Sequence, residues 1–290
     1  MGILLGLATA LSWGSSDFLA RFASRRIGTL RATGLMQAWG FILLTLFLSA
    51  THLWGHLFDG SGWRPWAWGI LAGTINTFAM LALYRSFEIG KLSIVAPISA
   101  SYPVLTVLLS VLTGEILTPL RGFGIAATIL GVVLVARGEQ ASPQAQSGDS
   151  GRRASGVPWA FAAAAGFGVL FWLLGVRIMP VTGGLASVWL IRLTGTVLTL
   201  GIVLARRSPV LPKGRVATMQ TGGMGFLDTG AFVLSNLGMQ REQVSVVSVL
   251  GSLYGAVTVA LAAIVLRERI GRPQWCGMIF IFAGIFLISR

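Results

Sequence analysis

Long apolar segments recur along the whole chain, and they limit it to one class of protein. Each runs for about 18 to 23 residues, the length that a helix needs to cross the ~30 Å hydrocarbon core of a bilayer. Of the 290 residues, 54% are hydrophobic and only 11% are charged. Soluble domains carry roughly 25% charged residues. We therefore predict an all-α integral membrane protein.

Ten transmembrane helices are predicted from these segments. Their spans are residues 2–20, 30–51, 66–86, 92–113, 119–137, 157–178, 183–205, 215–238, 243–265 and 272–289. No basic stretch precedes the first span, so we interpret it as a membrane helix and not as a signal peptide. Cys276 is the single cysteine, which excludes an intrachain disulfide and a cysteine zinc cluster.

A polar segment separates two halves of five predicted helices each. Residues 138–156 are rich in Ser, Gly and Gln, which is typical of a solvated linker. The predicted domains are therefore a first repeat at 1–137 and a second repeat at 157–290. An odd number of helices in each half places the halves in opposite orientations. That arrangement is the inverted repeat of secondary transporters.

Polar residues recur at matching offsets in the two halves and support the repeat. The matched pairs are Asn76 with Asp228, Tyr102 with Tyr254, and Gln37 with Arg192. Related residues of an inverted repeat face one another across the pseudo-two-fold axis, where carrier sites are built.

The positive charges are distributed unevenly between the loops. One set of loops contains sixteen arginines and lysines and the other contains five. The positive-inside rule places the first set in the cytoplasm, so we predict a bacterial inner membrane protein with both termini outward. The net charge of +13 then reflects membrane orientation and contact with anionic lipid, and no nucleic-acid partner is expected.

Four short motifs carry a family resemblance. They are ALSWGSSDF at 10–18, LTGEILTP at 112–119, WLIRLTG at 189–195 and LRERIGRP at 266–273. Over essentially its full length the chain resembles the EamA-type transporters of the drug/metabolite transporter superfamily. The resemblance implies a ten-helix carrier, usually an exporter of amino acids or other small metabolites, often with proton exchange. The family arginine maps onto Arg192, while its place in the first repeat is held by Gln37.

The resemblance and the charge count differ on orientation. Family members are frequently drawn with both termini in the cytoplasm, whereas the distribution of arginine and lysine in this chain predicts the opposite.

Arg192 and Asp228 lie near the middle of the seventh and eighth spans. A charge there costs at least ~2.5 kcal/mol on insertion scales, so both need a reason to be present. One interpretation is a structural ion pair between packed helices. The other makes Arg192 an anchor for a substrate carboxylate or phosphate, with Asp228 binding a proton or a substrate amine. Both hold if the pair opens when substrate enters.

Three further carboxylates lie near the ends of predicted helices. Asp17 lies four residues before Arg21, so the two side chains are in reach of an ion pair at the interface. Alternatively, Asp17 takes part in proton or cation coupling. Glu115 and Glu268 end the fourth and ninth helices, and their nearest expected partners are Arg121, Arg267 and Arg269.

Neutral polar and aromatic residues complete the predicted substrate site. They are Gln37, Asn76, Tyr102, Tyr254 and Trp13. The alternative for these side chains is interhelical hydrogen bonding, worth ~0.6 kcal/mol on average.

Helix-breaking residues occupy corresponding places in the fourth and ninth spans. Pro97 and Pro103 interrupt the fourth, and Gly251 and Gly255 lie near the same places in the ninth. Paired interruptions of this kind indicate a substrate site and its hinges. The alternative for the two glycines is close helix packing.

The predicted function is secondary active export of a small polar metabolite, such as an amino acid or organic acid, by alternating access. An uptake carrier or facilitator is the first alternative, and a membrane-embedded enzyme is weaker because neither histidine lies within a span. His52 and His56 are assigned an interfacial role and no metal. We expect no cofactor, and a monomer as the transport unit, with dimerisation left open.

Overall fold

The computed structural model describes residues 2–114, 118–140, 156–212, 214–239, 250–251, 253–268 and 270–288. Within these ranges the chain is helical and contains no strand. The helices are α1 (Gly2–Ile27), α2 (Thr29–Thr51), α3 (Arg64–Ile89), α4 (Leu92–Ser99), α5 (Pro103–Leu112), α6 (Pro119–Gln140), α7 (Val157–Leu173), α8 (Met179–Thr182), α9 (Gly184–Ala205), α10 (Arg215–Met239), α11 (Tyr254–Val265) and α12 (Arg272–Ile288). A π-helical segment, Leu174–Ile178, joins α7 to α8.

Some predicted features lie outside the described residues. They are most of the linker, the first part of the ninth span and Glu115.

Among the residues that the structure describes, five spans are by length and composition apolar enough to cross a membrane. They are Thr29–Thr51, Arg64–Ile89, Leu92–Leu112, Val157–Thr182 and Gly184–Ala205. Shorter apolar helices are Pro119–Val135, Tyr254–Val265 and Arg272–Ile288. Helices α1 and α10, which correspond to the first and eighth predicted spans, have 26 and 25 residues but a more polar composition. They pack on each other and carry Asp17 and Asp228. The number of ten spans stays a prediction.

The first helix is longer than predicted and ends at Ile27, one residue before Gly28. Arg21, Arg25 and Arg26 follow the predicted end of the first span at residue 20, but they lie in the last two turns of α1. No helix-breaking residue precedes Gly28, whose φ of 84° is in the left-handed region that favours glycine. Cations in a last turn also interact favourably with the helix dipole.

The fourth span is interrupted between its two prolines. Its first part, α4, ends at Ser99 and its second part, α5, begins at Pro103. Pro103 has no amide proton to donate to the Ser99 carbonyl, and its ring disfavours continuation of the helix. The ninth span also has a turn, at Leu253 just before Tyr254. The two interruptions are 152 positions apart, the offset of Asn76 and Asp228.

The helices of one half pack on helices of the other half in a symmetric pattern. The second span packs on the seventh (α2 on α9), the fourth on the ninth (α4 on α11) and the fifth on the tenth (α6 on α12). The first helix of each half packs on the third helix of the other, α1 on α10 and α7 on α3. A pseudo-two-fold axis between inverted repeats produces this set of contacts.

Individual hydrogen bonds repeat in the same way. The Thr106 hydroxyl donates to the carbonyl oxygen of Gly168 at 3.1 Å, and the Thr258 hydroxyl donates to that of Gly14 at 3.2 Å. Thr106 and Thr258 are 152 positions apart, and Gly14 and Gly168 are 154 apart. The fold therefore places identical residues of the two repeats in equivalent contacts.

The π-helical segment marks a one-residue insertion in the second repeat. Gly28 and Gly183 precede α2 and α9 with nearly equal conformations, φ 84° and ψ 149° against φ 90° and ψ 148°. They are 155 positions apart, one more than Gly14 and Gly168. Leu174–Ile178 lies between these points, and a π-bulge takes up one extra residue without ending a helix.

The last helix of each half meets the other at a glycine seam. A Cβ at Gly131 would lie 2.5 Å from the Gly277 carbonyl oxygen, and a Cβ at Gly284 would lie 2.6 Å from that of Gly124. Small residues let helix backbones approach closely in a membrane, where van der Waals packing drives association.

Candidate substrate-binding cavity

A cavity lies between the two halves at the level of the interrupted spans. Its unoccupied space, including the open space at its mouth, is about 620 Å³. Six of the seven predicted substrate residues line it, and so does Asp17. The six are Trp13, Asn76, Tyr102, Arg192, Asp228 and Tyr254. Gln37 lies behind the cavity wall, in contact with Arg192.

The expected ion pair between Arg192 and Asp228 is present. Arg192 is 1% exposed, and its Nη2 pairs with the Asp228 carboxylate. Its Nη1 donates to Gln37 Oε1 at 2.6 Å, and its guanidinium lies 5.1 Å from the ring centroid of Phe232. Both terminal nitrogens are therefore engaged within the protein, while Nε has no hydrogen-bond partner. A substrate anion would have to displace a bound carboxylate to use this fork.

Two repeat-related glycines make room for this network. A Cβ at Gly40 would lie 3.0 Å from Arg192 Cδ, and a Cβ at Gly195 would lie 2.7 Å from Gln37 Nε2. Gly40 and Gly195 are 155 positions apart, as are Gln37 and Arg192. Each long polar side chain thus passes over a glycine of the opposite repeat.

Asp17 is not paired with Arg21, contrary to the first interpretation of the sequence. Arg21 Nη2 lies 3.3 Å from Glu268 Oε1, and Nη1 donates to the Gly90 carbonyl oxygen at 2.8 Å. Arg21 therefore turns away from its own helix towards the end of α3, where it finds a carboxylate and a carbonyl together. Asp17 is 7% exposed and lines the cavity.

Glu268 also has a different partner from those expected. It pairs with Arg21, and its Oε2 accepts a hydrogen bond from the Ser93 amide at 3.1 Å. These contacts, and not Arg121 or Arg267, hold its carboxylate. Arg269 lies outside the described residues.

The basic residues of α1 and α2 bond to other segments at one end of the protein, and we name it the arginine-rich end. Besides the bonds of Arg21, Arg25 Nε donates to the Glu88 carbonyl oxygen at 2.9 Å. Arg31 Nη2 donates to the Leu211 carbonyl oxygen at 3.2 Å, which joins the start of α2 to the segment before α10.

Three phenylalanines that were not predicted from the sequence, Phe167, Phe171 and Phe232, also line the cavity. Tyr102 stacks on Phe171, with ring centroids 4.7 Å apart. Trp13 meets Phe232 and Tyr254 edge to face, at 5.2 and 6.3 Å. Phenylalanine in an apolar run gives no signal of its own, because it is equally suited to packing or to lipid. The repeat offers the only signal, since Phe171 occupies the place of Asp17, 154 positions away.

Asn76 occupies the place of Asp228 in the first repeat and is 4% exposed. Its Nδ2 has no hydrogen-bond partner, which is costly for a buried amide. An unpartnered donor in a cavity wall is available to an acceptor on a bound molecule.

The two predicted hinge glycines differ in their surroundings. A Cβ at Gly255 would lie 2.9 Å from the Cβ of Ala100, so this glycine serves close packing of α11 on the end of α4. A Cβ at Gly251 would make ordinary contact with Trp13 at 3.5 Å. The hinge role of these glycines, and of Pro97 and Pro103, remains a prediction.

The loop after α2 lies outside the membrane spans and holds both histidines. His52 follows α2 with a φ of 57°, and His56 Nδ1 lies 2.6 Å from Asp59 Oδ2. Hydrogen bonds from Ser61, together with His56, lower the pKa of Asp59 to about 2 because they favour its charged form. Among the described residues no group of three or more His, Cys, Asp or Glu could hold a metal ion.

The comparisons with known proteins show a similar fold and a partial relative. A solved crystal structure, described only as that of a protein, has a TM-score of 0.67 and 18% identity, and covers 99% of this chain and 95% of that one. At this identity the likeness shows the fold alone. An uncharacterized protein of Methanocaldococcus jannaschii is 28% identical over 102 residues, 35% of this chain and 74% of the relative.

The family itself is shown by a match along nearly the whole chain. The model of the EamA-like transporter family matches residues 1–137 and 154–290. This match confirms the resemblance found in the sequence motifs. The family is one of membrane transporters and not of enzymes. This chain therefore belongs to the EamA-like transporter family and is a multi-pass membrane protein.

Proposed function

We propose that the protein is a secondary active transporter that exports a small polar metabolite, such as an amino acid, by alternating access. The observation that carries the proposal is the cavity between the two repeats. It is lined by residues of both halves, among them Arg192 and Asp228, which lie near the middle of two predicted spans. Intramembrane ionisable residues are costly and mark substrate or ion pathways.

The arginine-rich end supplies the closed gate that this mechanism needs. Arg21 belongs to the first repeat and Glu268 to the second, and their side chains are only 10% and 11% exposed. The pair also connects to Gly90 and Ser93 at the junction of α3 and α4. When the repeats rock relative to one another, these bonds separate and open the cavity at this end.

The orientation in the membrane follows from the charge distribution. We propose that the arginine-rich end faces the cytoplasm of a bacterial inner membrane, with both termini outward. Asp17 and Asp228 are the candidate coupling groups, since both carboxylates line the cavity. The cavity lies within one chain, which supports a monomer as the transport unit.

Counterflow in proteoliposomes tests the carrier function. Vesicles loaded with an unlabelled amino acid or amine at millimolar concentration are diluted into a trace of the labelled compound. A carrier produces transient accumulation of label above equilibrium, because exchange is faster than net loss. Equal rates in protein-free vesicles, or equilibration without overshoot for every compound, would overturn the proposal in favour of a passive pathway or no transport.

A further inference from the structure

The cavity has an unbalanced charge. Its charged lining residues, within the part of the chain that the structure describes, are Asp17, Asp228 and Arg192. Asp228 and Arg192 neutralise each other in an ion pair. One carboxylate, that of Asp17, remains.

Asp17 has no cationic partner among the described residues. Arg21, the nearest candidate on α1, is engaged by Glu268 and the Gly90 carbonyl oxygen. Asp17 is nevertheless 7% exposed. A buried carboxylate without a counter-ion is strongly unfavourable. A proton or a cation from outside the protein must therefore accompany it.

The walls around Asp17 are suited to an organic cation. Trp13 lies one helical turn before it and meets the ring of Tyr254, and the Tyr102–Phe171 stack lies in the same cavity. The faces of aromatic rings attract ammonium groups, and the attraction is stronger where water is excluded. The rings and neighbouring aliphatic side chains also provide room for an apolar body.

The repeat relation connects two of these groups. Phe171 is the equivalent of Asp17 by the Gly14–Gly168 offset, and both side chains line the cavity. The unpartnered Nδ2 of Asn76, a side chain that is 4% exposed, adds a donor for a substrate oxygen.

We propose that the transported substrate is recognised through an ammonium group bound by Asp17 among Trp13, Tyr254, Tyr102 and Phe171, and that it needs no carboxylate. This inference rests on the transport function proposed above and narrows its substrate class from amino acids to amines. The substrate is a monovalent organic cation with an apolar body. Arg192 then positions Asp228 and Gln37 and does not anchor an anion.

Three matched probes test the inference in detergent-purified protein. Phenethylamine, 3-phenylpropionate and 2-phenylethanol share a ring and differ in charge. Binding is measured as a concentration-dependent rise in melting temperature followed by tryptophan fluorescence, since a ligand of the native state stabilises it by mass action. We expect phenethylamine to stabilise the wild type and the other two probes to have at least tenfold weaker effects.

Substitutions at Asp17 locate the site. Asp17→Asn removes the charge and is expected to weaken phenethylamine binding at least tenfold, while Asp17→Glu retains it. Glu88→Gln, which removes a carboxylate outside the cavity, is the matched control and should bind as the wild type does. If Asp17→Asn does not fold, the three probes are compared on the wild type and on Asp17→Glu, and this comparison decides whether the site recognises an ammonium group.

Three results would overturn the inference. They are binding of 3-phenylpropionate as tight as that of the amine, equal amine binding by Asp17→Asn, and no stabilisation by phenethylamine at millimolar concentration. Failure of the carrier function is separate. Binding of the amine through Asp17 without any counterflow would refute transport and keep the cation site. Counterflow of an anion that does not depend on Asp17 would support transport and refute the cation site.

Discussion

Loss of either partner of the Arg192–Asp228 pair should destabilise the protein severely. The two side chains are 1% and 9% exposed, so the remaining partner becomes a buried charge without a counter-ion. Breaking a buried pair in this way costs about 3–5 kcal/mol. In Asp228→Asn, Arg192 retains its bond to Gln37, so the loss of stability should be near the lower end of this range. In Arg192→Met, Asp228 is left without a partner, so the loss should be near the upper end.

A double variant and an exposed pair make this prediction quantitative. Arg192→Met combined with Asp228→Asn removes both charges, and its loss should be smaller than the sum of the single losses by about 2 kcal/mol or more. Arg85 pairs with Glu88, but these side chains are 45% and 22% exposed. Arg85→Ala should therefore cost about 0.5 kcal/mol or less.

The free energy of unfolding is measured by titration of dodecyl maltoside micelles with sodium dodecyl sulfate, followed by tryptophan fluorescence. The 10 tryptophans of the chain provide the fluorescence signal. A thiol-reactive dye would be a poor reporter of unfolding, because Cys276 is already exposed in the folded protein. Single variants that lose no more than Arg85→Ala, or a double variant whose loss is the sum of the two, would refute the coupling.

Three further predictions concern other parts of the fold. Gly131→Ala should destabilise by about 1–3 kcal/mol because its methyl group meets the backbone of the facing helix, whereas Gly201→Ala, with nothing within 4 Å, should be neutral or stabilising in the same titration. Arg21→Gln and Glu268→Gln should each speed hydrogen–deuterium exchange at residues 88–95, and unchanged exchange would contradict a gate at the arginine-rich end. The pKa of Asp59 is lowered to about 2, so its contribution to stability is present above the unfolded value of 3.8 and is lost as the pH falls through about 2. A carboxyl ¹³C titration that gives an unshifted pKa would refute this local network.

The internal repeat accounts for what the sequence predicted well. The offset between Gln37 and Arg192 placed them at equivalent points of two halves, and the structure brings them into a direct hydrogen bond. Tyr102 and Tyr254 likewise line one cavity. Apolar length predicted the helical spans, because a bilayer requires satisfied backbone groups along a fixed thickness.

Contacts between distant segments could not be predicted from the sequence. The Arg21–Glu268 pair joins residues 247 positions apart, while the i, i+4 rule favoured Asp17 as the partner of Arg21. Local spacing shows which groups are able to meet, but not which of two carboxylates the neighbouring helices bring nearer. The π-helical segment was also missed, since one extra residue in an apolar run leaves its composition unchanged.

Access to Asn76 tests the central claim that the cavity opens alternately to the two sides. In a Cys276→Ser background, Asn76→Cys would be treated with a membrane-impermeant cationic methanethiosulfonate in right-side-out and inside-out vesicles. Alternating access predicts modification from both sides, with each rate lowered by a transported compound. Modification from neither side, or from one side only under every condition, would contradict the account.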